Sequence, residues 1–209
     1  MISQRDDPIA MTIRPTIREL IETLALAVFV VLLLHTTLQN YRVDGPSMEP
    51  FLVDRDRVLV DKVGYLEIRS NKIDRYLPWV DLPNGHRWKP IGAPKRGDVV
   101  VFHFPMNPDL DLVKSVIGEP RDVVEIVNGA VFVNGSMLEE RYLDEEHRID
   151  EKMAPVEVKP DNYFVMGDNR FESHDSRHWG TVPSDQIIGR VWVKYWPSDV
   201  FGNITEWLW

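Results

Sequence analysis

Cysteine is absent from this 209-residue chain. That removes thiol catalysis, disulfide bonds and cysteine-ligated zinc together. A basic excess is also missing: 24 lysines and arginines stand against 33 aspartates and glutamates, for a net charge of -9. No cationic face is left over to neutralise a nucleic-acid backbone, so nucleic acid is excluded as a partner. The acidic surplus is spread along the chain and reads as solubility. There is no internal repeat, and no long amphipathic helical pattern after residue 38. What remains is ordinary for a globular protein, with 44% hydrophobic and 27% charged residues.

The one long hydrophobic run lies near the start. Residues 1–19 are polar, and from Leu24 to Leu34 every residue is apolar. Extended to Leu20 and Leu38 the run reaches about 19 residues, or about 28 Å as a helix, just enough to span a bilayer. A core helix would show a polar stripe, and a cleavable leader would be followed by a small-x-small pattern; neither is present. The run reads as a permanent transmembrane anchor over 20–38. Arg5, Arg14 and Arg18 precede it and Arg42, Arg55 and Arg57 follow, so charge bias is nearly silent on orientation.

Beyond the anchor the periodicity becomes that of short strands. Residues 57–63, 98–104, 111–117, 163–166 and 187–195 read as strands, with a long loop or hairpin excursion over 64–96. Val123–Val127 and Ala130–Val133 flank Asn128-Gly129, and Asn134-Gly135 follows, the strongest short-range hairpin signal there is. Residues 139–161 are rich in charge and read as exposed. The expected fold is an all-β, mostly antiparallel domain over 41–209 behind one N-terminal transmembrane helix.

Two stretches carry chemistry. Val43-Asp44-Gly45-Pro46-Ser47-Met48-Glu49-Pro50 sets a serine between a Gly-Pro pair and a second proline, so the backbone there is bent and held. Leu112-Val113-Lys114-Ser115-Val116-Ile117 places one lysine in an apolar strand. A serine hydroxyl needs a base to take its proton. Histidine is poorly placed for this: His174 and Asp175 are adjacent in a polar turn, and His103 reads as a satisfied core residue. No Gly-x-Ser-x-Gly elbow surrounds any serine. Lysine qualifies only if burial strips its charge, because at its ordinary pKa roughly one side chain in a thousand is neutral near pH 7.4.

These stretches, in this order, resemble the bacterial type I signal peptidases. Gly45 to Pro50 is similar to that family's nucleophile box, Pro94 to Phe102 to its Arg-Gly-Asp strand box, and Leu112 to Pro120 to its lysine box. Gly167-Asp168-Asn169-Arg170, then Ser173, Asp175-Ser176-Arg177 and Trp179-Gly180, match its last box almost letter for letter. The resemblance implies a serine endopeptidase that removes signal peptides, with Ser47 as nucleophile and Lys114 as general base. It implies the Ser47 backbone N–H as oxyanion donor and Ser173 as a hydroxyl steadying the lysine. Asp168, Arg170, Asp175 and Arg177 would form a supporting polar network, and Met48 and Pro50 would line the substrate pocket. No cofactor or metal is implied. The implied partners are secretory precursors delivered by the translocation machinery, and membrane lipid. The implied location is the cell (inner) membrane, with the N-terminus cytoplasmic and the catalytic domain outside. Phe51, Ser115 and Arg121 depart from the family pattern, and Gly45 stands where some relatives carry an oxyanion-hole serine. Two neighbouring Ser/Lys chemistries fit less well, since no Ser-x-x-Lys spacing and no Ala-Gly dipeptide for self-cleavage occurs. The C-terminal aromatics Trp196, Phe201, Trp207 and Trp209 read equally as interfacial or as core.

Overall fold

The computed structural model describes residues 17–65, 68–69, 87–88, 92–141, 143, 145–197 and 202–203. The chain divides into two compact units, Met1–Thr36 and Thr37–Trp209. Helix α1 (Ile17–Thr37) buries none of its residues. Local terms favour it: Arg18 pairs with Glu22 at 2.7 Å one turn on, and Glu19 and His35 sit at the ends that suit their charge. The hydroxyls of Thr23 and Thr36 bond back to the Glu19 and Leu33 carbonyls, which satisfies them within the helix. Among the described residues no helix is long and apolar enough to cross a membrane. The uninterrupted apolar stretch of α1, Leu24 to Leu34, rises about 16 Å.

The second unit is built almost wholly from antiparallel strands. In chain order they are β1 (Leu38–Arg42), β2 (Arg57–Asp61), β3 (Ile68–Arg69), β4 (Arg87–Trp88), β5 (Val99–Phe104), β6 (Asn107–Gly118) and β7 (Val123–Val127). Then follow β8 (Ala130–Val133), β9 (Ser136–Met137), β10 (Met153–Glu157), β11 (Asn162–Met166), the short helix α2 (Ser176–Trp179), β12 (Val182–Pro183), β13 (Ile187–Trp196) and β14 (Gly202–Asn203). Among the described residues the main sheet runs β1-β2-β13-β5-β6-β11-β12 with β14 beside β13; a second sheet runs β10-β7-β8-β9 and β3 pairs with β4.

Strand β5 shows why the centre is dry. Val99 and Val101 pack with Val43, Met48, Leu52, Val58, Val60 and Val191, whereas Val100 and Phe102 pack on the other face with Val116, Tyr163, Val165 and Val182. Alternation with a period of two thus feeds two core clusters from one strand. Strand β6 lies between β5 and β11, so its second half is enclosed and every residue from Lys114 to Gly118 is buried. Both Asn-Gly pairs form turns with positive φ at each residue, as two-residue hairpins require.

Two expectations need correction, and one departure from the family pattern finds its setting. Residues 139–161 are not a uniformly exposed charged stretch. They supply strand β10, which pairs with β7, and they bury Glu140, Leu143 and Val158. His103 is exposed rather than a core residue, and its Nδ1 lies 2.7 Å from Asp111. Arg121 adopts φ 77°, a left-handed conformation that explains why glycine suits that position better. Most of 64–96 and the aromatics Phe201, Trp207 and Trp209 lie outside the described residues; Trp196 is exposed at the end of β13.

Candidate active site

The serine loop is pinned by its neighbours. Met48 and Leu52 are fully buried one turn apart, and the Leu52 amide bonds to the Met48 carbonyl at 2.8 Å. Driving these two side chains into the core leaves Ser47 half-exposed at the loop's surface. Gly45 takes φ 92°, and its amide is held by Asp54 Oδ1 at 3.1 Å. From below, the Asn169 amide donates to the Ser47 carbonyl at 3.2 Å. Gly167 permits that approach, because a Cβ there would stand 2.4 Å from the Ser47 carbonyl oxygen and 2.2 Å from Ser173 Oγ.

Lys114 projects from β6 into this arrangement and is 3% exposed. Its Nζ lies 2.6 Å from Ser47 Oγ and donates to the Val113 carbonyl at 2.9 Å. Burial lowers its pKa to about 8; the Asp175 and Asp168 carboxylates pull the other way, and Arg177 adds a little to the lowering. A lysine so placed can accept a proton from the hydroxyl it touches.

The residues from 167 to 177 form the platform beneath. Asp175 receives a paired contact from Arg177, Nε to Oδ1 at 2.8 Å and Nη2 to Oδ2 at 2.9 Å, together with the Gly167 amide at 2.9 Å. Burial opposes its ionisation, but the Arg177 pair and these donors outweigh it and hold the carboxyl below its ordinary value. Arg170 pairs in a buried, two-pronged contact with Glu140, whose role sequence reasoning missed because the partners stand thirty residues apart. Asp168 is fully buried and takes a 2.7 Å hydrogen bond from the Ser115 hydroxyl.

Two site expectations are revised. Ser173 Oγ donates to Asp175 Oδ2 at 2.7 Å, and Lys114 Nζ spends its described hydrogen bonds on Ser47 Oγ and the Val113 carbonyl rather than on Ser173. Met48 and Pro50 do not line the cleft: Met48 is locked in the core and Pro50 faces solvent. The cleft beside Ser47 and Lys114, about 320 Å³, is walled by residues 41–44 and 110–114, with Val58 and Val101 also lining it. Phe51 likewise packs against the core cluster rather than the cleft. At the rim the Tyr41 hydroxyl donates to Asp111 at 3.2 Å, and burial followed by the Asp111 charge pushes the phenol up to about 12. His174 stacks on His178 with ring centroids 4.9 Å apart and is not among the residues that line the cleft.

A mostly antiparallel β domain that sets a serine hydroxyl against a buried lysine has the constitution of a serine hydrolase with a lysine base. The profile of one family, described as signal peptidase, peptidase S26, matches residues 17–196. Signal peptidase I of Leptolyngbya laminosa is 34% identical over 192 residues, covering 88% of this chain and 82% of its own. Signal peptidase I of Pseudomonas aeruginosa is 32% identical over 219 residues, covering 85% and 72%. A crystal structure of signal peptidase I from Enterococcus faecalis aligns with a TM-score of 0.43 and 28% identity, over 48% of this chain and 97% of that one. The chain belongs to the signal peptidase family, peptidase S26. It is a serine peptidase, and its function is the removal of signal peptides.

Proposed function

We propose that Ser47 and Lys114 carry this activity as a nucleophile and general-base pair, in a domain held at a membrane. The observation that carries the reading is the 2.6 Å contact between the hydroxyl of Ser47, a half-buried residue lining the cleft, and the amine of a lysine only 3% exposed. Neutral Lys114 takes the Ser47 proton as the hydroxyl oxygen attacks the scissile carbonyl. The lysine then protonates the leaving amine, and in the second half it draws a proton from the water that hydrolyses the acyl-enzyme. The developing oxyanion is met by the Ser47 amide; Pro46 has no N–H, and Gly45 brings no side-chain donor. The platform of Asp175, Arg177, Ser173, Arg170 and Asp168 holds the lysine and the loop rather than reacting.

The substrates are secretory precursors, delivered by the translocation machinery and still held by their apolar signal segment. Val58, Val101 and Val113 give the cleft apolar walls suited to small side chains close to the cut. Helix α1 is the proposed anchor. Counted from Leu20 to Thr37, where α1 ends and Leu38 begins β1, its run falls just short of the hydrocarbon thickness, and Glu22 and His35 lie towards its ends, where headgroups can receive them. In this reading residues 1–19 are cytoplasmic, 20–38 span the cell (inner) membrane once and 41–209 form the extracytoplasmic peptidase domain. Tethering raises the effective concentration of a site against a substrate in the same bilayer.

Ser47→Ala and Lys114→Ala are each expected to abolish cleavage of a model precursor in detergent, while circular dichroism and melting show an intact fold. Normal turnover by either variant sinks the assignment.

A further inference from the structure

Asp168 differs from the other charged-type groups of the platform in how little of its carboxyl is satisfied. Its side chain is completely buried. Oδ1 accepts the Ser115 hydroxyl, and Oδ2 accepts no hydrogen bond among the described residues. An ionised carboxylate enclosed with one donor and one empty oxygen is poorly solvated, whereas a neutral acid needs less. The charged groups around it do not cancel that deficit. Arg170, three residues from Gly167 whose carbonyl it also bonds, is already committed to Glu140, itself an anion facing the same space. From β6 come Ser115, which is neutral, and Lys114, adjacent to Ser115 and in electrostatic contact with Asp168. Asp175, also facing Lys114, is satisfied by Arg177.

We propose that Asp168 is a positioning residue whose ionisation restrains Lys114 as a base: its enclosed carboxyl is neutral while protonated and becomes an anion beside the lysine once it gives up that proton. Ionising Asp168 would set an anion beside the lysine, stabilise its ammonium and remove it from the reaction. The two groups then titrate as a pair, each raising or lowering the other. Burial, the dominant influence, pushes the Asp168 carboxyl up to about 7, against the opposing effects of Ser115, Arg170 and Lys114. Loss of its proton therefore falls in the range where the lysine is losing its own.

This inference rests on the Ser47–Lys114 reading, and the experiment separates the two. Asp168→Asn keeps the shape and the acceptor for Ser115 but can never ionise. In the full-length chain in detergent, its kcat/KM profile against pH is expected to move its acid limb down by about one unit, raising turnover at pH 6.5 by roughly five- to tenfold. A limb that stays in place or moves upward overturns the proposal. Ser47→Ala and Lys114→Ala run beside it: if they retain turnover, the dyad reading has failed instead. Should Asp168→Asn not fold, carbon-13 NMR of aspartate carboxyls in the wild-type protein decides alone. One carboxyl titrating with a midpoint between about 6 and 8 sustains the proposal, and all of them titrating below about 5 overturns it.

Discussion

At the scale of single residues, the site is a compromise between the lysine's charge and its burial. With its pKa near 8, about a tenth of Lys114 is neutral at pH 7, some three hundredfold more than at the ordinary value of 10.5. Turnover is therefore expected to climb with pH through about 8 and then level off, measured as kcat/KM between pH 5.5 and 9.5. The same shift has a stability sign. The folded-state pKa of Lys114 lies below the unfolded one, so between about 8 and 10.5 the unfolded chain binds the extra proton. The cost to folding is complete below 8 and fades as pH rises to 10.5. Lys114→Met should thus be inactive yet more stable than wild type at pH 7, on the order of 2 kcal/mol or a few degrees of Tm. The gap should close by pH 10.5; a Lys114→Met variant that melts lower at pH 7 contradicts the burial argument.

At the scale of elements, the site depends on three segments meeting: the loop after β1, the centre of β6 and the segment from the end of β11 to α2. Gly167 is where the first and third touch. Gly167→Ala would drive a methyl into the Ser47 carbonyl and the Ser173 hydroxyl, both closer than 2.5 Å to its ideal position. The expected result is a loss of about 1–3 kcal/mol in denaturant unfolding together with a larger fall in kcat than in KM, because the loop that carries Ser47, the proposed nucleophile, must shift. Unchanged kinetics would mean that the loop does not rest on this glycine. Strands β2, β5, β7, β8, β11 and β13, the second half of β6 and both Asn-Gly turns were legible in the residues because a period of two and a turn dipeptide are local signals, whereas β1 was hidden behind the apolar run that Leu38 seemed to end. Ser47 and Lys114 stood out as candidates as well, since an apolar strand with one lysine is unusual wherever it lies, and the fold brings the two side chains together. What was not legible depends on distant partners. Strand β10 hides in a charge-rich stretch because Met153 and Val156 pack only once β7 is beside them. Glu140 looks like surface until Arg170 reaches it. Met48 looks like a pocket residue until the core closes over it.

At the scale of the whole molecule, the question is why a β domain with its own core carries a helix that buries nothing. Leu24, Leu26, Phe29, Val31 and Leu32 are each more than half exposed. A run of exposed apolar side chains is costly in water, on the order of 25 cal/mol for each Å² left wet, and in the proposed anchor lipid would remove that cost. A soluble peptide reaches the cleft by diffusion alone, so its cleavage should not depend on α1. A precursor inserted in a vesicle reaches it within one surface, where tethering can raise the rate by two or more orders of magnitude. Replacing Leu26 and Val30 by lysine places two charges near the centre of the helix, at about 2.5–3.5 kcal/mol each in a bilayer. The double variant should therefore leave vesicles in flotation assays and lose its advantage on the inserted precursor, while its kcat/KM on the soluble peptide stays within twofold of wild type. Retained flotation with both lysines in place would remove α1 as the anchor and leave the exposed Trp192 and Trp196 of β13 as the apolar surface to test next.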